Sequence, residues 1–229
     1  MSWIRLTPVR KYFAALTLLL LTSLVPFCEA QFKVTENFNR PDGDVGVGWS
    51  AWGGGAELSG YQLETFGEDR FGGGGGVVRK LAVTFPLKFS FDFSTDSPPN
   101  GGWQIGFNAA ASQKIPLRTS EFGVQQLSGR RGICLFFQTT NGPALECAQV
   151  VSGQRDYTAR AHISAVVNDD WSVKIAIKYN DGLGPDTVLV QTPRAETALT
   201  SPLGNLLLLG SLSEDYGPHY FDNFMLSLN

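Results

Sequence analysis

Two carboxylates in widely separated segments could meet and do chemistry together. In Tyr220-Phe221-Asp222-Asn223-Phe224-Met225-Leu226-Ser227-Leu228, the apolar residues Phe224, Leu226 and Leu228 recur at period two, and Asp222 shares their parity. In Phe32-Lys33-Val34-Thr35-Glu36-Asn37-Phe38 the same parity joins Glu36 to Phe32, Val34 and Phe38. If the two segments pair antiparallel in one sheet, both carboxylates approach each other on a face that otherwise packs dry. Such a pair needs a cation, hydrogen-bond donors or an open edge. A structural calcium is one remedy, with Glu36, Asp222 and the Asp42 and Asp44 loop as oxygen donors. The other is that the carboxylates cap backbone N–H groups or pair with a basic residue such as Arg40.

Other reactive constellations are sparse. His162 and His219 are the only histidines, and neither stands in a Cys/His spacing that suggests zinc. A Ser-His-Asp arrangement through His219 and Asp222 stays open, although the chain has no Gly-x-Ser-x-Gly. Glu68-Asp69 and Glu214-Asp215 are sequential neighbours, which in a strand point to opposite faces, so they read as loop charges. Gly72 to Gly76 is followed by no Gly-Lys-Ser/Thr and reads as a flexible loop rather than a phosphate cradle.

Cys134 and Cys147 flank a hairpin. A four-residue loop at 139–142 sets Gln138 opposite Pro143 and Cys134 opposite Cys147, within reach of a cross-strand disulfide. A two-residue Asn141-Gly142 turn instead offsets the cysteines by two positions. We expect the disulfide.

Aromatic rings are the remaining binding material, since sugars stack C–H faces on rings beside planar polar groups. Trp103 and Trp171 lie on apolar strand faces and read as core, whereas Trp49, Trp52 and Tyr157 lie near turns and are expected to be exposed. Gln104, Asn108, Gln125 and Gln138 are candidates for a polar concave face.

The elements that must position these residues are short strands. Leu87 to Ser94, Trp103 to Asn108 and Trp171 to Tyr179 each alternate apolar and polar residues, Leu206 to Leu209 is a short apolar run stopped by Gly210, and turn-rich segments separate them all. A dozen or so such strands specify an all-β fold of two packed antiparallel sheets, with no internal repeat. The first 30 residues read as a signal peptide: Arg5, Arg10 and Lys11, then an apolar run from Ala14 to Phe27, then cleavage after Ala30. That run is shorter than the roughly 20 residues of a membrane-spanning helix, and residues 31–229 hold no other. They keep 15 basic and 20 acidic side chains, which argues against nucleic acid and anionic lipid as partners.

The pair Glu36-Asn37-Phe38-Asn39-Arg40-Pro41-Asp42-Gly43 and Tyr220-Phe221-Asp222-Asn223-Phe224 resembles the bookends of bacterial extracellular concanavalin A-like (laminin G-like) jelly-roll domains. The resemblance covers residues 31–229 and implies a jelly-roll sandwich. It also implies one of the superfamily's activities: lectin, carbohydrate-binding module, glycoside hydrolase, polysaccharide lyase or protein-binding module. Retaining glycanases of this type carry Glu-x-Asp-x-Glu or Glu-x-Asp-x-x-Glu, which this chain lacks, and alginate-lyase-like relatives carry Gln-Ile-His where this chain has Gln104-Ile105-Gly106. The reading at this level is a secreted or periplasmic glycan-binding protein without catalytic activity. Trp49, Trp52, Gln104 and Asn108 are its candidate sugar contacts, and Glu36, Asp42 and Asp222 its candidate calcium ligands. A divergent glycoside hydrolase or lyase and a protein-binding envelope module are the alternatives.

Overall fold

A computed structural model of the chain describes residues 32–66, 74–96, 102–110, 119–127, 132–149, 160–179, 185–190, 202–211 and 218–228. The expected signal segment, Tyr157, Glu68-Asp69 and Glu214-Asp215 lie outside them. Every regular element among the described residues is a strand. In chain order they are β1 (Lys33–Glu36), β2 (Ser50–Gly53), β3 (Ala56–Ser59), β4 (Gln62–Thr65), β5 (Gly75–Lys80), β6 (Leu87–Thr95), β7 (Trp103–Ala109) and β8 (Phe122–Leu127). They continue with β9 (Gly132–Thr139), β10 (Gly142–Gln149), β11 (Ala161–Val167), β12 (Val173–Lys178), β13 (Asp186–Val190), β14 (Leu206–Ser211) and β15 (His219–Leu228).

These strands make two antiparallel sheets. An eight-stranded sheet runs β13-β12-β11-β6-β15-β4-β3 with β1 also on β15, and a seven-stranded sheet runs β10-β9-β8-β7-β14-β5-β2. The alternation of β6 sends Leu87, Phe89, Phe91 and Phe93 inward against Trp103, Ile105 and Phe107 of β7, all of them buried. Phe91 meets Trp103 edge-on at 5.1 Å between ring centroids. Each such side chain stabilises the sandwich by roughly 1.5–3 kcal/mol relative to exposure.

Three local features depart from simple alternation. The β9–β10 register sets Pro143 opposite Gln138 and Cys147 opposite Cys134, and the disulfide is formed across it with Cα atoms 4.0 Å apart. Pairing continues to Thr139 and Gly142, so the connection is Thr140-Asn141 rather than Asn141-Gly142. Gly75 and Gly76 are strand rather than flexible loop. A Cβ on Gly76 would lie 2.1 Å from the Leu209 carbonyl oxygen, and one on Gly75 would lie 1.9 Å from that of Phe66. The close approach of neighbouring backbone demands the missing side chain.

The third feature corrects the expected placement of Asp222. The register of β15 against β6 shifts between Asp222 and Met225, and Asn223 takes a φ of 50°. This irregularity switches the parity of the strand: His219 and Phe221 face inward before it, Phe224 and Leu226 after it. Asp222 therefore lies on the outward face, not among Phe224 and Leu226. Its cross-strand partner is Asp92, while Glu36 pairs with Phe224.

Candidate functional site

The aromatic candidates are core residues. Trp49 is 5% exposed and packs against Phe38 and Phe224, with the Arg79 guanidinium over its ring. Trp52 is 4% exposed, and its indole N–H donates to the Val77 carbonyl. Proximity to turns suggested exposure, but both side chains enter from strand margins and are covered. Neither offers a ring to a sugar in this structure.

Gln104 and Asn108 do lie on the outward face of the seven-stranded sheet, yet both are 1% exposed. Asn108, at a φ of 52°, clamps the backbone of Val83 with two bonds of 2.9 Å, accepting from its N–H and donating to its C=O, and donates a third to Glu121 Oε2. That is a structural staple. Gln104 donates to the Ser211 carbonyl, while its own oxygen and that of neighbouring Gln125 have no hydrogen-bond partner among the described residues.

The three carboxylates expected to share a cation are engaged separately. Glu36 accepts from the Phe38 N–H and pairs with Arg40 at 3.3 Å. Asp42 accepts from the Gly60 N–H. Asp222 accepts from the Asn223 N–H and pairs with Arg160. Among the described residues no group of three or more His, Cys, Asp or Glu side chains is placed to hold a metal ion, and these three do not supply the six to eight oxygens that calcium takes.

Sequence reasoning missed a polar cluster on the outward face of the eight-stranded sheet. Register lines up His162 on β11, Asp92 on β6 and Asp222 on β15 as direct cross-strand neighbours. Asp92 Oδ1 holds His162 Nδ1 at 2.7 Å, and Asp92 Oδ2 accepts from Arg160 at 2.9 Å and from the Asn223 amide at 2.9 Å. The same Arg160 nitrogen pairs with Asp222, so one guanidinium offsets the repulsion of two facing carboxylates. His162 Nε2 has no protein partner among the described residues. The signal was outward parity of His162 and Asp92 in two well-patterned strands, but which residues face each other depends on register.

Beside this cluster, Thr35, Glu36, Asn37, Ser90, Asn223, Phe224 and Met225 line a hollow of about 420 Å³. It lies where the β15 irregularity parts the edge of β4 from that of β1. Asn37, Glu36 and Asn223 bring planar amide and carboxylate groups to this lining beside Ser90 and Met225, a combination suited to hydroxyl-rich ligands.

Among the described residues His219 belongs to no triad: it faces inward, stacks on Phe93 and has no hydrogen-bond partner there at either ring nitrogen, whereas Asp222 faces outward. Burial lowers its pKa to about 4, against the opposing pull of Asp96. Tyr220, raised to about 12 by burial and by its hydrogen bond to Asp96, stays protonated.

No protein-family model and no curated protein sequence matches this chain. Solved structures do match in fold. Lectin I from Ulex europaeus, in complex with the methyl glycoside of alpha-L-fucose, aligns with a TM-score of 0.56 at 12% identity over 86% of this chain and 97% of its own. Beta-agarase B from Zobellia galactanivorans aligns with a TM-score of 0.56 at 10% identity over 86% and 93%. The carbohydrate-binding module CBM66 from Bacillus subtilis aligns with a TM-score of 0.50 at 11% identity over 77% and 93%. The fold is thus the two-sheet jelly roll that lectins, carbohydrate-binding modules and glycoside hydrolases share.

Proposed function

We propose that this protein binds glycan on the outward face of its eight-stranded sheet and does not modify it. The observation that carries the reading is the hollow of about 420 Å³ edged by Asn37, Glu36 and Asn223, a volume within the roughly 300–1,000 Å³ of small-ligand sites. The lectin and binding-module neighbours support the same class. The Cys134–Cys147 bond supports an oxidising, extracytoplasmic setting, in keeping with a signal peptide over residues 1–30.

A hydrolytic reading draws on the facing pair Asp92 and Asp222 and on the agarase neighbour. Acid catalysis needs a protonated carboxyl aimed at the leaving group. Here both carboxylates are committed to one guanidinium, which supports binding instead.

The test is a glycan array probed with the exported chain, followed by reducing-sugar assays on each hit. Binding without release is expected, and Asn37→Ala with Asn223→Gly should abolish it while the melting temperature holds. Release of reducing ends would establish the hydrolytic reading, and binding that survives both substitutions would remove the hollow from the account.

A further inference from the structure

The outward face of the eight-stranded sheet carries charge that the hollow does not use. One cross-strand row reads Lys174 on β12, Val166 on β11, Lys88 on β6, Ser227 on β15 and Lys33 on β1. The next reads Thr187, Ala176, Ser164, Ser90, Met225 and Thr35. The one beyond it reads Lys178, His162, Asp92 and Asp222. Apart from Met225, small and mostly hydroxyl-bearing side chains therefore form a trough across six strands, about 24 Å long at the spacing of neighbouring strands. Three lysines flank it on one side, Lys178 and the carboxylate-bound Arg160 on the other, and the hollow lies at its β1 end.

The four lysines are exposed, and none pairs with a carboxylate among the described residues. Along these rows they and Arg160 set five cations against two carboxylates, Asp92 and Asp222. Glu36 at the hollow is paired with Arg40, and Glu64 and Glu57 stand one row further out on β4 and β3. Lys174, Lys88 and Lys33 recur at every second strand, about 10 Å apart. Lysines of this kind often protect sheet edges from pairing, but Lys88, Lys174 and Lys178 stand on strands already paired on both sides.

We propose that this trough takes a linear anionic polysaccharide laid across the strands, its carboxylate or sulfate groups against the lysines and one end in the hollow. The inference rests on the glycan-binding reading and names its ligand class. A small anion would not need cations spread over five neighbouring strands. The rows of the trough present no aromatic ring for base stacking, and the chain carries a net charge of −3, which disfavours nucleic acid.

The experiment measures dissociation constants of the exported chain for polygalacturonate, dextran sulfate, uncharged dextran and oligo-dT at 50 and 300 mM NaCl. At least one of the two charged polysaccharides should bind tenfold or more tighter than dextran and oligo-dT at low salt, and weaken at high salt. Lys88→Gln with Lys174→Gln should cut that affinity at least tenfold with the melting temperature unchanged, and leave array hits on neutral glycans intact. A response to polygalacturonate alone identifies carboxylate, and to dextran sulfate alone, sulfate. Neutral glycans bound with no preference for charge would overturn the trough and leave the glycan reading standing. So would equal binding of oligo-dT, or an unaffected lysine variant. Absence of binding to any glycan, charged or neutral, would overturn both.

Discussion

Asp222 lies directly opposite Asp92 across β15 and β6, and a single guanidinium nitrogen of Arg160 joins them. Removing that cation leaves two partly buried carboxylates facing each other. Arg160→Gln should lower stability by about 1 kcal/mol at low ionic strength, the scale of a solvated ion pair that has lost its partner. Asp222→Asn in that background should restore most of the loss. Urea melts at 20 and 500 mM salt measure both effects, and a loss equal at the two salt concentrations would mean that packing, not charge, holds the cluster.

The neutral His219 makes the fold sensitive to mild acid. Its folded pKa of about 4 lies below the ordinary value of 6.5, so the unfolded chain binds the proton more readily. The contribution is complete above pH 6.5, declines as pH falls toward 4 and is lost below that, on the order of 3 kcal/mol in all. In His219→Leu the stability between pH 6.5 and 4.5 should fall less steeply than in the wild type. Parallel slopes in chemical denaturation would show that other groups set the acid limit.

Asn108→Ala should cost about 3 kcal/mol, because it leaves the buried N–H and C=O of Val83 and the Glu121 carboxylate without their partner. If Asn108 contacts no ligand, glycan affinity of the folded fraction should be unchanged. Lost affinity in a variant that melts like the wild type would return Asn108 to the binding surface.

Because Glu36, Asp42 and Asp222 are satisfied separately, the melting temperature should be the same in chelator as in millimolar calcium. A rise with calcium, following RT ln(1 + [Ca²⁺]/Kd), that Asp222→Asn abolishes would identify a metal site these side chains assemble only with the ion.

Much of the architecture was legible because apolar alternation in β6, β7 and β12 specifies strand, face and core at once, and the hairpin spacing put Cys134 opposite Cys147. The site was not, for physical reasons that differ by residue. One irregular residue, Asn223, reverses the parity of everything before it, and no periodicity announces it. Asn108 looks like an outward polar residue by alternation, and only the approach of Val83 from a remote segment makes it a staple. Trp49 and Trp52 lie beside turns, where burial depends on what other segments lay over them. The lysine rows are invisible until six strands are placed in register.

The edge of β15 that faces away from β6 is shared, by β4 at residues 219–221 and by β1 at residues 224–227. Among the described residues β1 thus has no strand partner until β15 is in place, and β6 gains its second neighbour at the same moment. Closure of this sheet therefore waits for β15, whose partners β1, β4 and β6 all precede it in sequence. A chain whose β15 is not yet free to pair stays open at this sheet, and then closes on the millisecond-to-second scale of non-local β pairing. Truncation before His219 should abolish cooperative unfolding altogether, whereas a detached peptide of residues 219–228 supplied in trans should restore it by inserting between β6 and the pair β1 and β4.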